Sequence, residues 1–148
     1  MIKNFLNSNK DLGILFLRIA IGISFAIVYG LMKIQGGPVF WEQIGGAMSN
    51  LGIMFAPVFW GFLASLSEFG GGILIFFGLF TRPAAAFMAF TMLVAAIQHL
   101  SVRDPWYMVM NPLEMLAVFI ALLFIGAGKY SLDYLLFNKK GNNQIELN

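Results

Sequence analysis

The segment Phe59–Phe80, FWGFLASLSEFGGGILIFFGLF, is long and apolar enough to cross a bilayer, yet it carries a carboxylate, Glu68, near its middle. About 20 apolar residues rising 1.5 Å each cover the ~30 Å hydrocarbon core. An acid at that depth costs about 3 kcal/mol against lipid, so it is expected to face other helices or a wet cavity. Its neighbours at helical spacing agree. Gly61, Ala64, Ser65, Gly71 and Gly72 share the face of Glu68, whereas Phe62, Leu66, Phe69, Ile73 and Phe76 form the face expected to meet lipid.

The rest of the chain supplies the helices that such a group requires. With 148 residues, 59% hydrophobic and 11% charged, it has the length and composition of four membrane spans in one compact domain. The expected fold is an all-α membrane protein, a four-transmembrane-helix bundle with a short interfacial helix in the first loop. A net charge of +2, with basic residues at segment ends, reads as a topology signal and sets nucleic acid aside as a partner. The absence of cysteine removes disulfides, thiolate metal sites, iron–sulfur clusters and dithiol redox chemistry carried by this chain. The run Leu12–Leu31 exceeds a signal-peptide core and lacks a small-residue cleavage pattern, so it reads as a retained first span.

Residues 1–11 read as a polar, basic cytoplasmic arm, residues 12–137 as the transmembrane domain and residues 138–148 as a polar tail. In helix 1, Leu12–Leu31, Arg18 heads a stripe of Gly22, Ala26 and Gly30. Gly36, Gly37 and Pro38 end it. The connection from Met32 to Pro57 holds apolar residues at helical spacing from Phe40 to Leu51, as an interfacial or capping helix would, with Glu42 in water. After the Glu68 span, Thr81, Arg82 and Pro83 read as a tight turn joining antiparallel neighbours. Helix 3, Ala84–Leu100, places Ala85, Ala89, Met92, Ala96 and His99 on one side. Helix 4, Tyr107–Ile125, aligns Glu114 with Ala117 and Ala121, which are expected to face inward.

Lys3, Lys10, Arg82, Lys129, Lys139 and Lys140 fall on one side of this arrangement and only Lys33 and Arg103 on the other, which directs both termini to the cytoplasm of a bacterial inner membrane. Tyr29, Trp41, Trp60, Trp106 and Tyr107 then gather at the outer interface, and Tyr130 and Tyr134 at the inner one.

Charged groups from four helices can therefore converge, and each has two readings. Arg18 either snorkels to headgroups or pairs inward with Glu68 across an axial offset of about 8 Å, bridged by water or ligand. Glu68 is either a proton-handling or ligand-binding acid or a buried tie between helices. Glu114 either serves chemistry or complements a helix start after Asn111 and Pro112. His99 is either a ligand contact or an interfacial histidine. One histidine cannot make a bis-histidine haem or a three-histidine zinc site, and the two glutamates lie at different depths, so no metal site is expected.

The ordered pattern of Arg18, Tyr29-Gly30, Lys33, Glu68-Phe69-Gly70-Gly71-Gly72, Gly78-Leu79, Thr81-Arg82, His99, Glu114 and Gly128-Lys129-Tyr130-Ser131-Leu132-Asp133 resembles the DoxX family of small bacterial membrane proteins. The resemblance runs from Leu12 to Asp133. It implies a four-helix integral membrane fold and association, for some members, with quinone-linked redox systems. On that basis the chain is expected to be a membrane subunit of a quinone-linked oxidoreductase system, binding a quinone or similar amphiphile in its polar core. Glu68 and Glu114 are the expected proton-handling residues, and Arg18, Glu68, His99, Glu114, Tyr29 and Lys33 the expected ligand-binding set. Its partners would be the lipid bilayer, a redox partner protein and further copies of itself. A small proton-coupled transporter and a non-catalytic structural or assembly protein are the alternatives.

The charge asymmetry makes one direct prediction. Green fluorescent protein fused behind Asn148 is expected to fluoresce and alkaline phosphatase fused there to be inactive. The opposite pair of signals would reverse the assigned orientation.

Overall fold

A computed structural model describes residues 2–138. Met1 and residues 139–148 lie outside the described residues, and with them most of the expected tail, including Lys139 and Lys140, and so does the side chain of Lys3. Helix α1 (Ile2–Ile23) passes through a π-helical segment (Ser24–Gly30) into α2 (Leu31–Gln35). There follow α3 (Gly37–Gly45), a 3-10 turn (Gly46–Leu51), α4 (Pro57–Phe77), α5 (Thr81–Ser101), α6 (Trp106–Ile125) and a short π-helical segment (Tyr134–Asn138). Four stretches are long and apolar enough to cross a membrane: Asn9–Gln35, Pro57–Phe77, Thr81–Ser101 and Trp106–Ile125. The fold is all-helical, as the hydropathy pattern requires.

The hub is α4, because its small residues let three neighbours approach. A Cβ on Gly72 would meet the Ala26 backbone nitrogen at 2.5 Å, and one on Gly22 would meet the Cβ of Phe76 at 2.7 Å. A Cβ on Gly71 would strike Met88 of α5 at 2.8 Å. At the start of α4, Gly61 lies against the backbone of Trp41, so α3 folds back along this helix instead of lying free in the interface. The buried face of α4 is Gly61, Ser65, Glu68, Gly71, Gly72 and Ile75; of the stripe expected around Glu68, Ala64 is only half-buried, and Ile75 joins the face instead.

Helix α6 packs along α5, and among the described residues its backbone does not come close to α1. Side chains bridge that gap instead. Phe25 and Phe119 meet edge to face with ring centroids 5.0 Å apart, and both belong to the core with Ile75, Met88 and Leu122. Large aromatic spacers on the π-helical segment and α6, against small residues elsewhere, leave the bundle open between the first helix and α6.

Three boundaries differ from the sequence reading. The first helix starts by Ile2 and runs to Gln35, beyond the expected Leu12–Leu31, because nothing in residues 2–35 interrupts it before Gly36 and Gly37, the latter at φ 75°. Thr81, Arg82 and Pro83 are the first turn of α5 and not the connection. The reversal is made by Gly78, Leu79 and Phe80, with Gly78 and Phe80 in the left-handed region at φ 65° and 47°. Gly78 is required there twice over, since a Cβ would also collide with the Arg18 guanidinium. Finally, α4 spans Pro57–Phe77, starting at the proline that ends the connection and stopping at Gly78.

The chain after α6 folds across this end of the bundle and caps α5. The Asp133 carboxylate accepts from the backbone N–H groups of Phe80 at 2.7 Å and Thr81 at 3.0 Å, and the Asp133 N–H donates to the Gly78 carbonyl at 2.8 Å. A carboxylate satisfying two free N–H groups at a helix start does what an N-cap does, from 52 residues away. Asp133→Ala is expected to lower stability by about 1–2 kcal/mol. Thermal unfolding in detergent checks this, and an unchanged midpoint would contradict it.

Candidate functional site

Glu68 is 2% exposed and pairs with Lys33, whose ammonium lies 2.6 Å from Oε1. Continuation of the first helix to Gln35 keeps Lys33 on that helix. Gly30, one turn earlier, lies so close to the Phe69 backbone that a Cβ would collide, which brings the following turn beside Glu68. Helical side chains tilt toward the N-terminus, so Lys33 reaches back into the bundle. The indole N–H of Trp41 donates to the Lys33 carbonyl at 2.9 Å and ties α3 to the pair. The second carboxylate oxygen, Oε2, is buried and has no hydrogen-bond partner among the described residues.

The pair stands between two cavities. One, of about 350 Å³, lies between the second half of the first helix and α6: Phe25, Tyr29 and Lys33 form one wall and Tyr107, Met108 and Asn111 the other, with Glu68 and His99 between them. The second, of about 190 Å³, lies between α3, α4 and α5 and is almost wholly apolar. Its hydroxyls are engaged: Thr91 donates to the Phe87 carbonyl at 3.0 Å and its oxygen lies 3.1 Å from the Ser67 hydroxyl. The π-helical segment holds Phe25 and Tyr29 and precedes Lys33, and these residues share the wall at spacings of four. Such wide turns commonly re-aim side chains at sites.

His99, near the end of α5, places Nδ1 2.7 Å from the Asp104 carboxylate. Arg103, in the left-handed region at φ 58°, turns the loop back, and the Asp104 N–H donates to the His99 carbonyl at 3.0 Å. Asp104 was not among the expected site residues. The only signal for it was an acid five positions after a histidine at a helix end, a spacing that acts only when the loop reverses.

Arg18 neither pairs with Glu68 nor reaches to headgroups. It is fully buried at the other end of the bundle, donates to the Tyr130 carbonyl and lies against Gly78, with Ser131 beside the same glycine. Arginine leans toward the N-terminus of its helix, away from Glu68, and the segment after α6 folds over it. Lys33, fifteen positions further along the same rod, takes the acid instead.

Glu114 also departs from expectation. It is exposed on α6 together with Ala117 and Ala121, while Val109, Pro112, Phe119 and Leu122 face the core. The small-residue rule fails here because α6 meets α1 through bulky spacers and not by close backbone approach. Glu114 does not line the cavity with His99, and the polar side chains that α6 contributes there are Tyr107 and Asn111. No three His, Asp or Glu side chains gather into a metal-binding group among the described residues.

Comparison with known proteins follows the same outline. The DoxX family model matches residues 13–101. The chain is 38% identical over 134 residues to "Inner membrane protein YqjF" of Escherichia coli, covering 88% of this chain and 96% of that protein. It is 31% identical over 144 residues to "Putative oxidoreductase CatD" of Bacillus subtilis, covering 95% and 98%. No solved structure matches.

The ion pair predicts non-additive stability. Lys33→Met and Glu68→Gln each disturb a buried charge relation, and Lys33→Met, which strands the carboxylate, is expected to cost about 3 kcal/mol. The double variant, having no charge to bury, is expected to be more stable than Lys33→Met alone. Unfolding midpoints of the three proteins test this, and simple additivity would refute it.

Proposed function

Because the chain belongs to the DoxX family of membrane proteins, we propose that the cleft between its first helix and α6 binds the polar ring of a quinone-type amphiphile, within a quinone-linked oxidoreductase system of the bacterial inner membrane. One observation carries the reading: the buried Lys33–Glu68 pair, whose Oε2 has no hydrogen-bond partner among the described residues, stands in the wall of a cleft between the first helix and α6. The cleft volume falls within the range for small-molecule sites, and it combines apolar and aromatic walls with a few polar groups.

In this reading the Lys33–Glu68 pair meets the polar edge of the ring from the cleft wall. His99, oriented by Asp104, is a proton acceptor. Tyr29 and Asn111 position the ring, and Phe25 closes the apolar floor. Arg18 holds the opposite end of the bundle together, and Glu114 lies outside the site. A quinone would supply two-electron redox chemistry when bound. This chain contains no cysteine, so a partner protein is the proposed source or sink of electrons. The oxidoreductase name of the Bacillus subtilis relative supports this assignment, and the name of the Escherichia coli relative supports the inner membrane. Both termini are assigned to the cytoplasmic side.

Protein purified in mild detergent is expected to yield a stoichiometric quinone or similar amphiphile on extraction and mass spectrometry. Glu68→Gln, checked for folding by its unfolding midpoint, is expected to lose it. An empty wild-type protein, or equal retention by the variant, would count against the site.

A further inference from the structure

Helix α6 carries an acid on the side turned away from the protein. Glu114 lies eight positions after Trp106 and eleven before Ile125, about 12 Å and 16 Å from the helix ends, which puts it inside the hydrocarbon layer. It is exposed, it belongs to none of the ion pairs among the described residues, and a glutamate side chain is too short to span either distance. Val109, Pro112, Phe119 and Leu122 fill the opposite side of the helix, so Glu114 faces neither the core nor the cleft. Among the described residues of the four spans, no other charged side chain is exposed away from the helix ends. An acid held against lipid at that depth is costly, and a polar partner there removes the cost.

We infer that this face of α6 is the interface between two copies of the chain, joined by a hydrogen-bonded pair of Glu114 carboxyl groups. The partner is set by depth and chemistry. Copies inserted in one orientation all carry Glu114 at the same level of the bilayer. The chain offers no exposed cation at that level, since Arg18 is enclosed and Lys33 is held by Glu68. The group that meets Glu114 is therefore its own counterpart, across a two-fold axis along the membrane normal, and such a contact closes at two copies. A carboxyl group in its neutral form is donor and acceptor at once, so two of them satisfy each other.

The spacing fits a helix pair. Tyr107, Met110, Glu114, Ala117, Ala121 and Phe124 are all exposed and recur at alternating intervals of three and four, the seam along which helices supercoil about one another. Ala117 and Ala121 follow the acid on that seam and let two backbones approach, as the glycines of α4 do inside the bundle. A single polar position on an otherwise apolar seam also fixes the register, because any slip would strand both acids in lipid. The helix whose backbone packs only on α5 thus has a second packing face.

The chain has no cysteine, so single cysteines report the contact without background. In bacterial membranes carrying the full chain, Ala117→Cys and Ala121→Cys are each expected to give a disulfide-linked dimer on copper–phenanthroline oxidation. Leu66→Cys, exposed on α4, is expected to give none. Protein labelled at a C-terminal tag and diluted into phosphatidylethanolamine–phosphatidylglycerol liposomes is expected to show dimers by two-colour energy transfer. Glu114→Leu is expected to weaken them by about fivefold or more, the worth of one interhelical hydrogen bond. Glu114→Gln is expected to keep them, because the amide also donates and accepts. Ala117→Leu, harmless on a face that meets lipid, is expected to weaken the pair as well, and it tests the seam if Glu114→Leu does not fold. Cross-linking of Ala117→Cys no stronger than that of Leu66→Cys, a monomer in liposomes, or a dimer indifferent to both Glu114→Leu and Ala117→Leu would overturn the inference. So would cross-links from Ala117→Cys that reach only a different protein, which would give this face to another membrane partner.

Discussion

A carboxylate placed halfway along a membrane helix is tolerated only if something pairs with it, and much of this structure follows from how that is done. Lys33 neutralises Glu68, and to do so it must stay on a helix that runs past the end of an ordinary span. It must also sit on a turn brought close to α4 by Gly30, with its carbonyl anchored by Trp41. Desolvating both ions costs several kcal/mol, which a single good contact only partly offsets. The free Oε2 leaves the pair incompletely satisfied. That is a poor design for stability alone and an intelligible one for a site.

The same contrast of residue sizes that packs the bundle also creates its opening. Glycine and alanine draw α1, α3 and α5 onto α4, where backbones nearly touch. Phe25 and Phe119 hold α1 and α6 apart, because two aromatic rings in an edge-to-face contact need about 5 Å between centroids. Toward the start of α6 the space between these helices is not filled, and Tyr29, Asn111 and His99 reach into it. Cleft and core are thus products of one packing pattern.

At the other end a second buried charge serves a different purpose. Arg18 is fully enclosed and donates to the Tyr130 carbonyl, three residues before Asp133, whose carboxylate caps α5. The segment from Gly126 to Asp133 therefore joins α1, the α4–α5 turn and the chain after α6. Ser131 locks it locally by donating to the Gly128 carbonyl at 2.6 Å while accepting from the Tyr134 N–H. The two buried charges thus tie different elements: Arg18 holds the chain after α6, and Glu68 holds the end of the first helix through Lys33.

Periodicity and composition alone determined the four spans, the inward stripes of α1, α4 and α5, and the burial of Glu68, because the cost of a charge in lipid and the spacing of small residues are local properties of the chain. They did not determine which charge meets which. Depth left Arg18 either snorkelling or bridged to Glu68, whereas helix continuation, side-chain tilt and one glycine contact chose Lys33. They also misjudged α6, where Glu114 with Ala117 and Ala121 mimics an inward stripe although the core is filled by Phe119 and Leu122. Asp104 beside His99 and Asp133 on α5 were hidden for the same reason. Each partnership depends on where a loop returns in space, which is settled only when the helices pack.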